Sequence, residues 1–213
     1  MYVPAHFQEH RLSVLHEVIE HTGLATLVSL GPNGMDASHV PMLLERETGP
    51  FGTLYGHIAR ANPQWVDATS ELPALAIFLG PNAYVSPSWY PSKQRTGQVV
   101  PTWNYVAVHA RGPVRFFDSP ERLLALVTRL TEAHEGGRQH PWAVSDAPAE
   151  YIRAHLKSII GFELAIASIQ GKWKMSQNRS AEDRRGVADG LGREGTASAL
   201  NVAAMVKGLS SPS

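Results

Sequence analysis

Between Leu24 and Phe117 the chain is a succession of short apolar runs divided by turn residues, spaced too closely for a helix to sit between each pair. LATLVSL (24–30) reads as a buried strand, Gly31-Pro32-Asn33-Gly34 as a turn, and DASHVPMLLE (36–45) as the antiparallel partner that completes a hairpin. FGTLYGHIA (51–59), ALAIFLG (74–80), NAYVS (82–86), VVPTWNYVAVHARG (99–112) and PVRFF (113–117) continue the pattern. Hairpin-linked strands of this kind close into a barrel more readily than they alternate with crossover helices. The expected fold is mainly β: an antiparallel barrel carrying peripheral helices. A small barrel fills its own interior, so a sizeable ligand belongs on the outer wall or at a subunit seam.

The helices are fewer. In residues 10–22 Leu12, Leu15, Val18 and Ile19 share one face, and Gly23 is placed to end the helix. Asn62-Pro63 offers a cap and a first-turn proline for a short helix over NPQWVDAT. Ser119-Pro120-Glu121 opens another, with Leu123, Leu124, Val127 and Leu130 as its apolar stripe. A further helix is expected around 147–158, followed by one strand, GFELAIASIQGKWKM (161–175). The last forty residues read as helical, Ser180-Ala181-Glu182-Asp183 resembling a capping box, with SSPS as a frayed tail.

Composition narrows the partners. With 213 residues, 43% of them hydrophobic, the chain can bury a substantial core. Nineteen basic and nineteen acidic side chains cancel, so no global field draws it to nucleic acid or an anionic membrane. It has no cysteine, which excludes disulfides, thiolate metal sites and cysteine nucleophiles, and no signal pattern opens the chain. No run approaches the ~18 apolar residues that cross a bilayer, and the expected location is cytoplasmic. The histidines are scattered, and none forms the closely spaced helical pair of a zinc enzyme. Walker, dinucleotide-glycine and hydrolase-elbow patterns are likewise missing.

Three segments carry candidate chemistry. Tyr84 to His109 gathers Trp89, Trp103, Tyr84, Tyr90 and Tyr105 among three prolines, flat faces beside rigid turns that suit a planar ligand or, equally, an ordinary core. In GHIARANPQW (56–65) the Arg60 guanidinium and the amides of the following turn are expected to converge as a phosphate cradle, the alternative being a corner with a solvated arginine. His57 and Ala59 share a face there. GKWKMSQNR (171–179) ends a strand with Lys172, Lys174, Ser176, Gln177 and Asn178 around Trp173, able to read a heterocycle's edge or to serve as a charged exit loop.

In order along the chain, MYVPAHF (1–7), HVP (39–41), GHIARANPQW, YVSPSWYPSK, VPTWNYVAVHARG and KWKMSQN resemble the PaiB family of FMN-binding negative transcriptional regulators. The resemblance runs from Met1 to about Leu191, leaving 192–213 as a helical extension and tail. It departs from the family pattern at Gln98, where a basic residue often precedes the valine pair. The resemblance implies a split antiparallel β-barrel of FMN-binding type, related to pyridoxamine-phosphate oxidases, that forms a homodimer with FMN at the seam. It implies that His39, Val40, Pro41 and Met42 pass the isoalloxazine ring and that His57, Ala59, Arg60 and Asn62 hold the ribityl phosphate. Lys93, Thr102, Trp103, Asn104 and Tyr105 would line the ring or seam, and Lys174, Ser176 and Gln177 would complete the polar rim. Three functions follow: a regulator that contacts DNA, an FMN-dependent oxidoreductase or flavin reductase, or a haem-binding relative of the same barrel. Balanced charge and the lack of a helix-turn-helix pattern give the DNA reading little separate support.

Overall fold

A computed structural model describes residues 1–68 and 72–208; the expected frayed tail lies outside them. A 3-10 turn at Ala5–Phe7 leads into β1 (Gln8–Glu9), α1 (Leu12–Thr22), β2 (Leu24–Gly31), β3 (Gly34–Glu45), β4 (Thr53–Ala59) and α2 (Gln64–Asp67). Then come β5 (Ala74–Val85), α3 (Ser92–Thr96), β6 (Thr102–Gly112), β7 (Val114–Phe117) and α4 (Pro120–Glu135). The chain continues with α5 (Ala149–Leu156), β8 (Ile159–Ala165), β9 (Ser168–Lys174), α6 (Ala181–Glu194) and α7 (Ala197–Lys207). The described strands form a nine-stranded sheet in the order β1-β9-β6-β5-β2-β3-β4-β8-β7. Two compact units share them: one comprises 1–15, 79–108 and 170–213, the other 16–78 and 109–169.

In the larger unit the two-residue turn Pro32-Asn33 joins β2 to β3, Gly31 pairing with Gly34. Strand period then decides direction. Ala25, Leu27, Val40, Met42, Leu54, Ile58, Ile160, Phe162 and Leu164 are buried. Gly56 permits close packing there, since a Cβ would strike the Phe162 ring and the Pro41 carbonyl. Outward on β2 and β3 stand Leu24 opposite Pro41, Thr26 opposite His39 and Leu30 opposite Met35. That face is apolar yet uncovered, Leu24 being 59% and Met35 79% exposed.

Helix α4 begins at Ser119, whose hydroxyl accepts from Arg122 N. It buries Leu123, Leu126 and Leu130, whereas Leu124, expected in the stripe, is 42% exposed. Leu126 is three residues after Leu123 and four before Leu130, so those three share a face and Leu124 lies about 100° away. Exposed ion pairs of Arg122 with Glu163 and Arg129 with Glu45, both 2.7 Å, flank the helix. Each contributes about 0–1 kcal/mol, so the leucines hold it.

Two strand expectations are corrected. The run 161–175 is not one strand, because Ile166 N donates to Gly52 O at 3.0 Å and Ala167 N to Arg111 O at 2.8 Å, which breaks it into β8 and β9. Conversely, the expected strands 74–80 and 82–86 merge into the single strand β5, which ends at Val85, while Ser86 caps the next turn. There Asn82 N donates to Ser198 Oγ at 3.1 Å and Asn82 O accepts from the same hydroxyl at 2.7 Å, supplying partners at the Pro81 step.

In the smaller unit α6 starts at Ser180, whose hydroxyl accepts from Asp183 N, and stops at Gly195, with φ 69°. Asp183, buried, receives Ser92 N at 3.0 Å and Ser92 Oγ at 2.9 Å, which ties α3 to α6. Helix α6 crosses the Leu191 boundary unbroken and packs against α7. Its close partner is Trp89, which leaves no space for a Cβ at Gly190, whereas Gly192 faces open space. Gly190→Ala is therefore expected to destabilise by about 1–3 kcal/mol through overpacking. Gly192→Ala is expected to stabilise by about 0.5–1 kcal/mol, since alanine replaces a mid-helix glycine without a clash. Urea unfolding of both variants measures the two signs.

Candidate functional site

The outward face of β3 and β4 carries part of the expected site. His39 and Pro41 face outward, His39 exposed and Pro41 half-buried, and His39 Nδ1 is 2.9 Å from Thr26 Oγ1. Val40 and Met42 turn their side chains into the core, so only their backbone is available to a ligand on that face. On β4, His57 is outward and half-buried beneath α4. It lines a shallow recess of about 280 Å³ with Pro41, Leu130, Thr131, His134, Glu135 and Trp142. Burial holds its imidazole below the usual histidine range, which keeps it neutral.

The corner after β4 distributes its groups over separate partners rather than converging them. Arg60 Nε donates to Lys157 O at 2.8 Å and its Nη2 to Ile159 O at 3.4 Å, while Nη1 stands 3.6 Å from Asp118 Oδ2. Asn62 turns the other way, donating through Nδ2 to Ser38 Oγ at 2.7 Å and accepting Gln64 N on Oδ1 at 2.9 Å. Of the turn's amides, Arg60 N is taken by Ser158 O and Asn62 N by Ala59 O. Ala59 itself is exposed. Gln64, fully buried, anchors the corner by donating from Nε2 to Leu27 O at 3.2 Å and Ser29 Oγ at 3.0 Å, while its Oε1 has no hydrogen-bond partner.

The smaller unit brings together the other expected group. Lys174 Nζ donates to Thr102 Oγ1 and to Trp103 O, the latter at 2.9 Å. Burial, and then the charges of Lys172 and Arg179, push its ammonium below the ordinary lysine range. Trp103 is 54% exposed and meets Tyr84 edge to face at 6.1 Å. Lys172, which is buried, donates to Tyr2 O at 3.1 Å and lies 5.2 Å from the Tyr105 ring centroid. Lys93 is exposed, with a 3.4 Å contact to Ser88 Oγ. Below them Asn104 and Ser176 are buried and bonded both ways, at 3.0 and 3.2 Å. Ser176 is the positive-φ non-glycine residue among those described, at φ 64°. Gln177 closes the turn, accepting Met175 N at 2.7 Å and donating to Trp173 O at 2.5 Å.

His134, Glu135 and Trp142 were not singled out from the sequence. Their signal is the aromatic in the Gly- and Pro-punctuated stretch EGGRQHPW, which follows a helix rather than a strand. Among the described residues no group of His, Asp and Glu is placed to hold a metal ion, and no helix is long and apolar enough to cross a membrane.

The family model described as "Putative FMN-binding domain" matches residues 1–168. Protease synthase and sporulation protein PAI 2 of Bacillus subtilis is 30% identical over 207 residues, covering 97% of each chain. An uncharacterized protein of Aspergillus fumigatus is 35% identical over 252 residues, again with 97% of each covered. Among solved structures, the FAD and heme binding protein from Mycobacterium smegmatis has a TM-score of 0.56 at 17% identity, over 78% of this chain and 73% of that one. The fold is the split antiparallel β-barrel with peripheral helices. Within it, the chain belongs to the PaiB family of FMN-binding proteins, and FMN is its cofactor.

The donor set fits that cofactor. No lysine takes part in an ion pair among the described residues, and Lys174 beside Trp103 is bonded to neutral oxygens, so its charge is of the kind an anionic ring or phosphate would require. The half-exposed Trp103 indole offers a flat surface of the kind a planar ring would stack on.

Two measurements check these environments. Because folding keeps His57 neutral and the unfolded chain takes up protons first, its contribution is complete above pH about 6.5 and is lost as pH falls. His109, also depressed by burial, acts in the same direction. Stability by urea unfolding is expected to drop between about pH 7 and pH 5 and to drop less in His57→Gln. Ser176→Ala is expected to cost about 1–3 kcal/mol by stranding Asn104, with Ser176→Gly closer to the native protein because glycine relieves the left-handed backbone.

Proposed function

We propose that the chain is a homodimeric flavoprotein that regulates transcription according to its FMN occupancy or redox state. The observation that carries the assembly is the uncovered apolar face of β2 and β3, with Leu24, Leu30 and Met35 outward around His39. Exposed aliphatic side chains gathered on one sheet face in this way are a usual mark of an interface. The regulatory part rests on PaiB membership and on the name of the Bacillus subtilis relative. A cytoplasmic location, expected from the cysteine-free composition, accompanies this reading.

FMN contacts are proposed in two groups. His39, Pro41 and the backbone of Val40 and Met42 meet the cofactor on the β3 face, with His57, Ala59 and Asn62 on the phosphate side. Lys93, Thr102, Trp103, Tyr105 and Lys174 supply aromatic surface and positive charge, and Asn104, Ser176 and Gln177 position them. Arg60 has other partners, Asp118 and the carbonyls of Lys157 and Ile159. When bound, FMN supplies the electron chemistry; these side chains bind it, orient it and exclude water.

A second reading, an FMN-dependent oxidoreductase, is favoured by the recess that places neutral His57 with His134 and Trp142 beside Pro41. Bleaching of the flavin by NADH or NADPH under anaerobic conditions would select it. Retardation of promoter DNA without bleaching would select the regulator.

Purified protein is expected to be yellow and dimeric by light scattering. Leu24→Asp/Met35→Asp is expected to give monomers with little FMN, and Lys174→Gln to weaken FMN binding about tenfold or more, as for a lost charge-assisted hydrogen bond. A dimer that survives the aspartates, or undiminished FMN affinity in Lys174→Gln, would refute the corresponding assignment.

A further inference from the structure

Two adjoining recesses on the α4–α5 side of the larger unit are unused by the flavin reading. The larger, of about 600 Å³, lies within the size range of small-molecule sites and is walled chiefly by apolar groups, among them Leu124, Val144, Ile152 and Leu156. The smaller, of about 160 Å³, is lined by Arg60, Asp118, Arg153 and Lys157 over Leu123 and Leu156. Arg153 and Leu156 belong to both walls, so the apolar chamber opens beside the charged one.

The charges in the smaller recess do not balance: three cations face one carboxylate. Arg60 is fixed by the Lys157 and Ile159 carbonyls and stands 3.6 Å from Asp118. Arg153 has only a 3.8 Å contact with Glu150, a side chain that is 92% exposed, and such a pair is worth about 0–1 kcal/mol. Lys157 forms no ion pair among the described residues. In the larger recess Glu132 offsets the shared Arg153, so the excess of positive charge lies in the smaller one and draws an anionic head there. Leu124, turned away from the sheet, is explained as part of an apolar wall.

We propose that this face binds an amphiphilic anion, its chain in the larger recess and its carboxylate or phosphate head against Arg153 and Lys157 in the smaller. The head contributes through charge-assisted hydrogen bonds and the chain through buried apolar area.

Calorimetric titration of the protein as purified, with decanoate, decyl phosphate, 1-decanol and inorganic phosphate, tests it. Saturable binding of decanoate or decyl phosphate is expected, with 1-decanol about tenfold weaker, the difference made by one or two charge-assisted hydrogen bonds. The better of the two anions identifies the head group. Lys157→Glu should remove the preference for the anion while sparing 1-decanol, and Leu124→Glu should weaken both chain-bearing ligands; both positions are exposed, so the fold tolerates them. The flavin spectrum should stay the same in each variant. Equal affinity for 1-decanol and decanoate, inorganic phosphate binding as tightly as decyl phosphate, or no saturable binding at all would each overturn the proposal.

Discussion

The register of the β2–β3–β4–β8 ladder governs everything else in the larger unit. Because strand side chains alternate, a slip of one residue would exchange His39 with Val40 and His57 with Ile58, placing imidazoles in the core and aliphatics in water. The ladder cannot slip without burying those polar groups, and this is what fixes the candidate residues in place. Helix α4 covers the outward side around His57 and Pro41, which makes the recess, while Leu24, Met35 and His39 further along β2 and β3 remain exposed.

Where the ladders end, side-chain amides take over. Asn62 and Gln64 bind the turn after β4 to the β2–β3 hairpin, and Asn104 holds the turn after β9 through Ser176. These are buried polar contacts, costly when half-satisfied and specific when complete. Two candidate regions thus lie at strand ends where backbone pairing has stopped and a buried amide sets the geometry. Ser176 shows the cost of that arrangement, its left-handed backbone kept by the bond to Asn104.

Local pattern revealed much of this. Apolar runs between turn residues marked β2, β3 and β4, and hydroxyl caps marked the starts of α4 and α6, whereas Lys174 and Thr102 came into one reading through the family resemblance of the KWKMSQN and VPTWNY strings. What stayed hidden depended on distant partners. Nothing near Arg60 announces that carbonyls about a hundred residues later claim its guanidinium. The break at Ile166-Ala167 likewise depends on the Gly52 and Arg111 carbonyls, and the choice of Leu126 over Leu124 on how α4 is rotated against the sheet. His134 and Trp142 become neighbours of His57 only when the helix folds back over β4.

The strand that bears His39 and Pro41 also bears the bare side of the sheet. On the dimeric reading, pigment and quaternary state become one equilibrium, since separating the copies wets the same surface that shelters the flavin. Colour would then follow dilution: a concentrated solution retains its yellow, and a thin one sheds cofactor as its chains part.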